Sequence, residues 1–219
     1  MKATLFTAAL ASIATGDHLE LELVATFDGL ANDGGAAESC HYDATDMVWR
    51  FTDMTMMGEM DSLPGSYPAA TEFMQGLQGS YNGTGGELGI QYVNNAAVGP
   101  RLYIADGSTG DILIYDIATE TYLDTTIPTG SPFTNGLCYD EDNDVLYATN
   151  VGSNFAGSYE PVDGLAAIYK ISDVSTGSPV VTEVDVTNVV DQNGDALTET
   201  NSANIAVTGT GRVFQANGC

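Results

Sequence analysis

The chain predicts an all-β protein built of four-stranded antiparallel blades, a β-propeller with about three and a half to four blades in its 219 residues. Three observations carry this. A loop of small and acidic residues leads four times into an apolar strand pair: 38–53 (ESCHYDATDMVWRFTD), 99–107 (GPRLYIADG), 135–150 (NGLCYDEDNDVLYATN) and 202–218 (SANIAVTGTGRVFQANG). Their aromatic residues, Trp49, Tyr103, Tyr147 and Phe214, recur at intervals of 54, 44 and 67 positions, the spacing of a strand-built repeat. Helical periodicity is almost absent after residue 16, whereas short alternating or apolar runs bounded by Gly, Asp, Asn and Thr are frequent. One such sheet cannot bury both of its faces and must stack on its neighbours.

The elements follow in order. Residues 1–16 (MKATLFTAALASIATG) have the form of a secretory signal, one Lys before an apolar stretch and small residues ahead of Asp17. That stretch is too short to span a bilayer, and 3–13 is equally compatible with a strand. Leu19, Leu21 and Leu23 alternate with Glu20 and Glu22, a half-buried strand that would lie outermost in its blade. Residues 17–219 read as one propeller domain. Segment 54–80 has no clean period, and Pro64 and Pro68 predict a loop there, with one helical turn near 71–76. From Leu88 the pattern becomes regular: 88–93, 101–106, 111–117 and 121–127 form one complete blade. A second follows at 136–140, 145–150, 166–172 and 180–186. Only 204–207 and 212–217 remain for a third.

Composition narrows the function. Thirty acidic residues against five basic ones give a net charge of −25. A phosphate-binding groove is hard to build from five cations, so nucleic acid is excluded as a partner. Anionic membrane surfaces repel such a chain. The acidity suits solubility in an extracellular setting, and carboxylates with carbonyls are also what Ca²⁺ prefers. Asn82-Gly83-Thr84 is a glycosylation sequon in a Gly-rich stretch. The three cysteines, Cys40, Cys138 and Cys219, leave one thiol over if the protein is secreted. Two acidic loops have alternating oxygen ligands. Asp191, Asn193, Asp195 and Glu199 could wrap one Ca²⁺, although neither the Gly nor the closing Glu of an EF-hand is in place. Asp140 to Asp144 has the same alternation in a hairpin turn, where Asp and Asn are expected anyway.

At 38–53 and 135–150 the chain resembles the regucalcin/gluconolactonase family. Glu38-Ser39-Cys40-His41-Tyr42-Asp43, followed by Val48-Trp49-Arg50-Phe51-Thr52-Asp53, follows that family's first inner strand and its partner. Thr134-Asn135-Gly136-Leu137 and Leu146-Tyr147 follow a later pair. The resemblance implies a six-bladed propeller with a divalent metal, Ca²⁺ or another, in its central channel. It implies Glu38 and Asn135 as metal ligands and Asn94 or Asn95 as the substrate-contacting amide. Ala203 stands where the family's third ligand, an Asp, belongs, leaving Asn204 as a neutral substitute. The family's last blades are not covered by this sequence.

Three functions therefore stand: an extracellular binding or self-assembly module that forms oligomers or filaments through its terminal strands, a metal-dependent lactonase, and a Ca²⁺-stabilised adhesion module. A small molecule or glycan is the ligand class that a propeller mouth suits.

Overall fold

The computed structural model describes residues 39–43, 46–52, 57–61, 71–72, 86–150, 167–185, 202–207 and 213–217. These form fourteen strands and one 3-10 turn (Val174–Thr176), with no α-helix among the described residues. All strand pairing is antiparallel. Three sheets have four strands in sequential order: β1 (Ser39–Asp43), β2 (Val48–Thr52), β3 (Met57–Asp61) and β4 (Thr71–Glu72); β5 (Glu87–Asn95), β6 (Gly99–Asp106), β7 (Ile112–Asp116) and β8 (Thr121–Tyr122); β9 (Thr134–Asp140), β10 (Val145–Asn150), β11 (Ala167–Ser172) and β12 (Val180–Glu183). A fourth sheet pairs β13 (Ser202–Val207) with β14 (Val213–Asn217).

The second and third sheets fall where the strand pattern placed them. The first differs from the reading of 54–80 as loop and helical turn, because Met57–Asp61 and Thr71–Glu72 are strands. MGEMD lacks β-branched and aromatic residues, so its strand comes from pairing with β2 and not from its own pattern. The strand expected at 19–27 lies outside the described residues. The expected strand 121–127 shortens to Thr121–Tyr122 plus one bridge between Ile112 and Ile127.

The first strand of each sheet packs against the first strand of the next, β1 on β5, β5 on β9 and β9 on β13. The main core lies between the second and third sheets, where Val93, Tyr103, Ile112, Leu137, Leu146 and Ile171 meet. Leu102, Ile104, Leu113 and Tyr115 project from the opposite face of the second sheet with Ile90 into a separate cluster. Both faces of the second sheet are therefore dry, and its strands read as continuous apolar runs instead of alternating ones.

The register corrects the aromatic repeat. Asp43 faces Val48, as Asp140 faces Val145, so Trp49 stands level with Leu146 and Arg50 with Tyr147. Tyr103, across from Gln91, holds the same place in the second sheet. In the first sheet the repeated aromatic position is thus an arginine. Arg50 is buried, and its Nη2 donates to Asp43 at 3.2 Å and Asp46 at 2.8 Å.

One turn recurs. An aspartate at position one accepts a backbone amide, and the residue at position five is left-handed. Asp43 accepts from the Asp46 amide (3.2 Å) ahead of Met47 (φ 57°). Asp116 accepts from Thr119 (3.0 Å) ahead of Glu120 (φ 55°), and Asp140 from Asn143 (3.3 Å) ahead of Asp144 (φ 52°). Asp106 accepts from the Ser108 amide at 2.8 Å ahead of Gly110 (φ 79°). Such side-chain caps are why Asp is favoured there. Met47, 63% exposed, gains nothing from burial to offset its conformation. The left-handed state costs an L-residue about 1–2 kcal/mol, against about 0.5–1 kcal/mol of extra chain entropy for Gly. Met47→Gly is expected to stabilise the fold by about 0.5–1 kcal/mol, read from the denaturant midpoint.

Candidate functional site

The starts of the first strands gather at one end of the sheets. The geometry shows that β1, β5 and β9 run the same way. Ser39 Oγ accepts from the Ile90 amide, His41 meets Gln91, Gly89 sits against Asn135, and the Asn95 side chain reaches Tyr139. Two second strands tie this end together. Thr52 donates its hydroxyl to the Leu88 carbonyl, and the Thr149 hydroxyl accepts from the Gly136 amide at 2.9 Å. Both threonines are fully buried. Sequence reading did not single them out, though each occupies the penultimate position of its repeat.

Asn135 lies at this end, as the second residue of β9. It is half-buried, and its side chain makes no hydrogen bond to another described residue. Its backbone is held by Gly89, where a Cβ would fall inside the van der Waals sphere of the Asn135 carbonyl oxygen. Asn204 is in β13, which packs beside β9. Glu38, next to the first residue of β1, lies outside the described residues. So do Asp191, Asn193, Asp195, Glu199 and Asn82. Among the described residues no cluster of three or more His, Cys, Asp or Glu could hold a metal, so a channel site depends on Glu38 joining the two amides.

Asn94 and Asn95 are at the far end of β5, where the chain turns into β6. At about 3.3 Å per residue, the length of strand between Gly89 and Asn95 is on the order of 20 Å. The structure does not bring them to Asn135. Asn95 is used locally, accepting the Ala97 amide at 2.9 Å through its side chain.

Acid–base groups near the inner strands are muted. Burial pushes the Cys138 thiol up to about 12, with the Asp140 charge adding to it. Desolvation by neighbouring groups also raises Cys40, although the residue is exposed at the surface. Neither is a thiolate nucleophile at neutral pH. His18, the second of the two histidines, lies outside the described residues. His41 is lowered by burial, opposed by its bond to the Tyr42 carbonyl and by the Asp43 charge. His41 Nδ1 lies 3.1 Å from that carbonyl and Nε2 lies 2.9 Å from Gln91 Nε2. These contacts fit a neutral ring with the proton on Nδ1 and Nε2 accepting from the amide. The folded ring is thus protonated at lower pH than the unfolded one. The unfolded chain binds the extra proton in the window between the depressed value and about 6.5, so stability is lost as pH falls through that window. His41→Gln is expected to flatten the pH dependence of the urea midpoint between pH 6.5 and 5.

Comparison with known proteins gives the fold and little more. No protein-family model matches the chain, and no curated protein matches it. Among solved structures, a protein from Bacteroides uniformis proposed to be a 6-phosphogluconolactonase aligns over 87% of this chain and 50% of its own, with 12% identity and a TM-score of 0.50. A luciferin-regenerating enzyme aligns over 63% of this chain and 45% of its own, with 14% identity and a TM-score of 0.48. The chain spans about half the length of these structures. At such identity the likeness is one of fold alone.

Proposed function

We propose that this chain is a β-propeller unit, extracellular in setting, whose work is binding and self-assembly. The observation that carries the assembly reading is the fourth sheet. Three sheets have four strands each, whereas β14 has β13 on one side and no strand on the other among the described residues. Such an edge presents a row of unpaired N–H and C=O groups, a template for strand addition from a second copy. A head-to-tail contact of this kind gives a ring or a filament, depending on whether its rotation closes. Sedimentation of the full chain, with and without residues 1–16, tests it. Association that grows with concentration, together with concentration-dependent hydrogen-exchange protection of the β14 amides, is expected. A monomer at every concentration, with the same amides protected throughout, overturns the reading.

One observation favours a second reading, a divalent-metal-dependent lactonase. The Asn135 side chain makes no hydrogen bond to another described residue, and Asn204 is in the neighbouring first strand. Glu38 with these two amides would be an all-oxygen donor set of the kind Ca²⁺ accepts. A bound metal would polarise a lactone carbonyl and acidify its water. The same donors, without turnover, would serve the Ca²⁺-stabilised adhesion module. Calcium titration followed by calorimetry, with a panel of lactones, separates these. Asn135→Ala is expected to weaken calcium binding about tenfold or more if the site forms. Unchanged binding in that variant excludes Asn135 as a ligand.

A further inference from the structure

The first sheet is built inside out. Successive residues of its first two strands divide between two faces. Ser39, His41 and Asp43 of β1, with Arg50 and Thr52 across from them, share the face that meets the second sheet. Apart from Val48, that face is polar. Cys40 and Tyr42, with Trp49 opposite Tyr42, stand on the other face, and none of the three is charged. Cys40 is exposed, Tyr42 is 37% exposed and Trp49 is half-buried. The Tyr42 and Trp49 rings lie 5.4 Å apart, tilted by 51°. A sheet with one covered face ordinarily turns its apolar side to the core and its polar side to water. The reverse arrangement calls for an apolar cover on the outside.

The chain ahead of β1 has the pattern such a cover requires. Leu19, Leu21, Leu23, Ala25 and Phe27 occupy successive alternate positions. A strand over 19–27 therefore has one wholly apolar face, and Glu20 and Glu22 fall on the other. The segment follows the signal-like stretch 1–16, so it is kept whether or not that stretch is removed. It also ends close to where it is needed. Eleven residues, 28–38, separate it from Ser39, and Asp28-Gly29 suits a turn back. Fully extended, such a link reaches up to about 36–40 Å. β1, with five residues, is only about 17 Å long.

We infer that residues 19–27 of this chain dock on the outward face of the first sheet, over Cys40, Tyr42 and Trp49. The alternate leucines meet the two rings, and Glu20 and Glu22 stay in water. The tether favours this occupant over a second copy. A short flexible link holds its segment at an effective concentration of about millimolar, so a free chain in dilute solution competes poorly for the same face. The docking is independent of the β14 edge, which belongs to the fourth sheet, and of the Asn135 end.

Trp49 is the one tryptophan of the chain, so the fluorescence of the full chain reports on this face. Its emission is expected to be blue-shifted and weakly quenched by acrylamide, equally at every protein concentration. Leu21→Glu is expected to weaken docking about tenfold or more, the loss of one buried leucine. Trp49 then shifts to the red and is quenched more strongly. Glu20→Gln is expected to change neither. If Leu21→Glu does not fold, cross-linking decides. In a Cys219→Ser background, at least one of Leu19→Cys, Leu21→Cys and Leu23→Cys is expected to form an intramolecular disulfide with Cys40 under diamide. Glu20→Cys and Glu22→Cys are expected to form none. Cys138 is buried and stays out of the exchange. A red, freely quenched Trp49 in the wild type overturns the proposal. So does a blue shift that appears only as concentration rises, which puts a second copy on the face. No cross-link from positions 19, 21 and 23, or equal cross-linking from 20 and 22, overturns it as well.

Discussion

Replacing Arg50 with methionine is expected to destabilise the protein by about 3–5 kcal/mol, the range for breaking a buried ion pair from one side. Asp43 is 0% exposed and Arg50 4%, so water cannot take the place of the missing guanidinium at Asp43. Asp46, whose side chain is 46% exposed, can rehydrate and contributes little to the loss. A well-packed apolar pair in place of a buried ion pair is often neutral or better. Arg50→Met combined with Asp43→Leu is therefore expected to recover part of the loss. It will not recover all of it, because Asp43 also caps its turn through the Asp46 amide. Urea unfolding of the two single variants and the double variant checks this, and additive losses would contradict the coupling.

The second large effect is expected at Gly110. Its φ is 79°, and a Cβ there would strike the Ser131 carbonyl. Its own carbonyl accepts two hydroxyls, Thr129 Oγ1 at 2.6 Å and Thr134 Oγ1 at 2.5 Å. The loop between the second and third sheets is pinned to this one residue, with Ser131 and Phe133 amides in turn donating to the hydroxyls of Thr129 and Ser131. Gly110→Ala combines left-handed strain with overpacking against backbone that cannot rotate away, about 2–5 kcal/mol together. Gly130 is the internal control. It has a similar φ of 76° and open space around it. Gly130→Ala is expected to cost about 1–2 kcal/mol, the conformational part alone. Equal losses at the two positions would show that the docking of the loop contributes nothing.

The sequence made the sheets legible where apolar runs were bounded by turn residues, as in the second and third sheets. It failed at β3 and β4. An outer strand can be held by its neighbour while carrying residues of low β propensity, and MGEMD is such a case. Matching by residue type aligns Trp49 with Tyr147 and sets the aromatic repeat out of phase by one residue. The two left-handed residues, Met47 and Asp144, set the true phase, and a left-handed methionine leaves no mark in sequence. Nor could burial of Arg50 be read, since its partners are seven and four positions away across a turn. At the candidate site, the motif picks out Asn135 as a residue without giving its surroundings. It does not show that Asn94 and Asn95 stand at the other end of β5, because a motif spacing does not say which end of a strand a residue occupies.

The recurring five-residue turn has a consequence for how this chain can change. Its geometry is set at two points, a capping carboxylate first and a left-handed residue last. In the turn from Asp140 to Asp144 the three residues between are exposed. Glu141 and Asp142 answer to no packing constraint, whereas the Asn143 side-chain amide donates to Asp140 at 2.8 Å, so the first two can be rewritten without disturbing the strands on either side. Exchanging Glu141 and Asp142, or grafting a short recognition peptide there, treats this turn as a socket with fixed contacts and free contents, unlike the turn from Asp116, where Ile117 packs on the outer cluster of the second sheet. Drift among copies of the repeat would accumulate first in those sockets, while their two end points stayed recognisable.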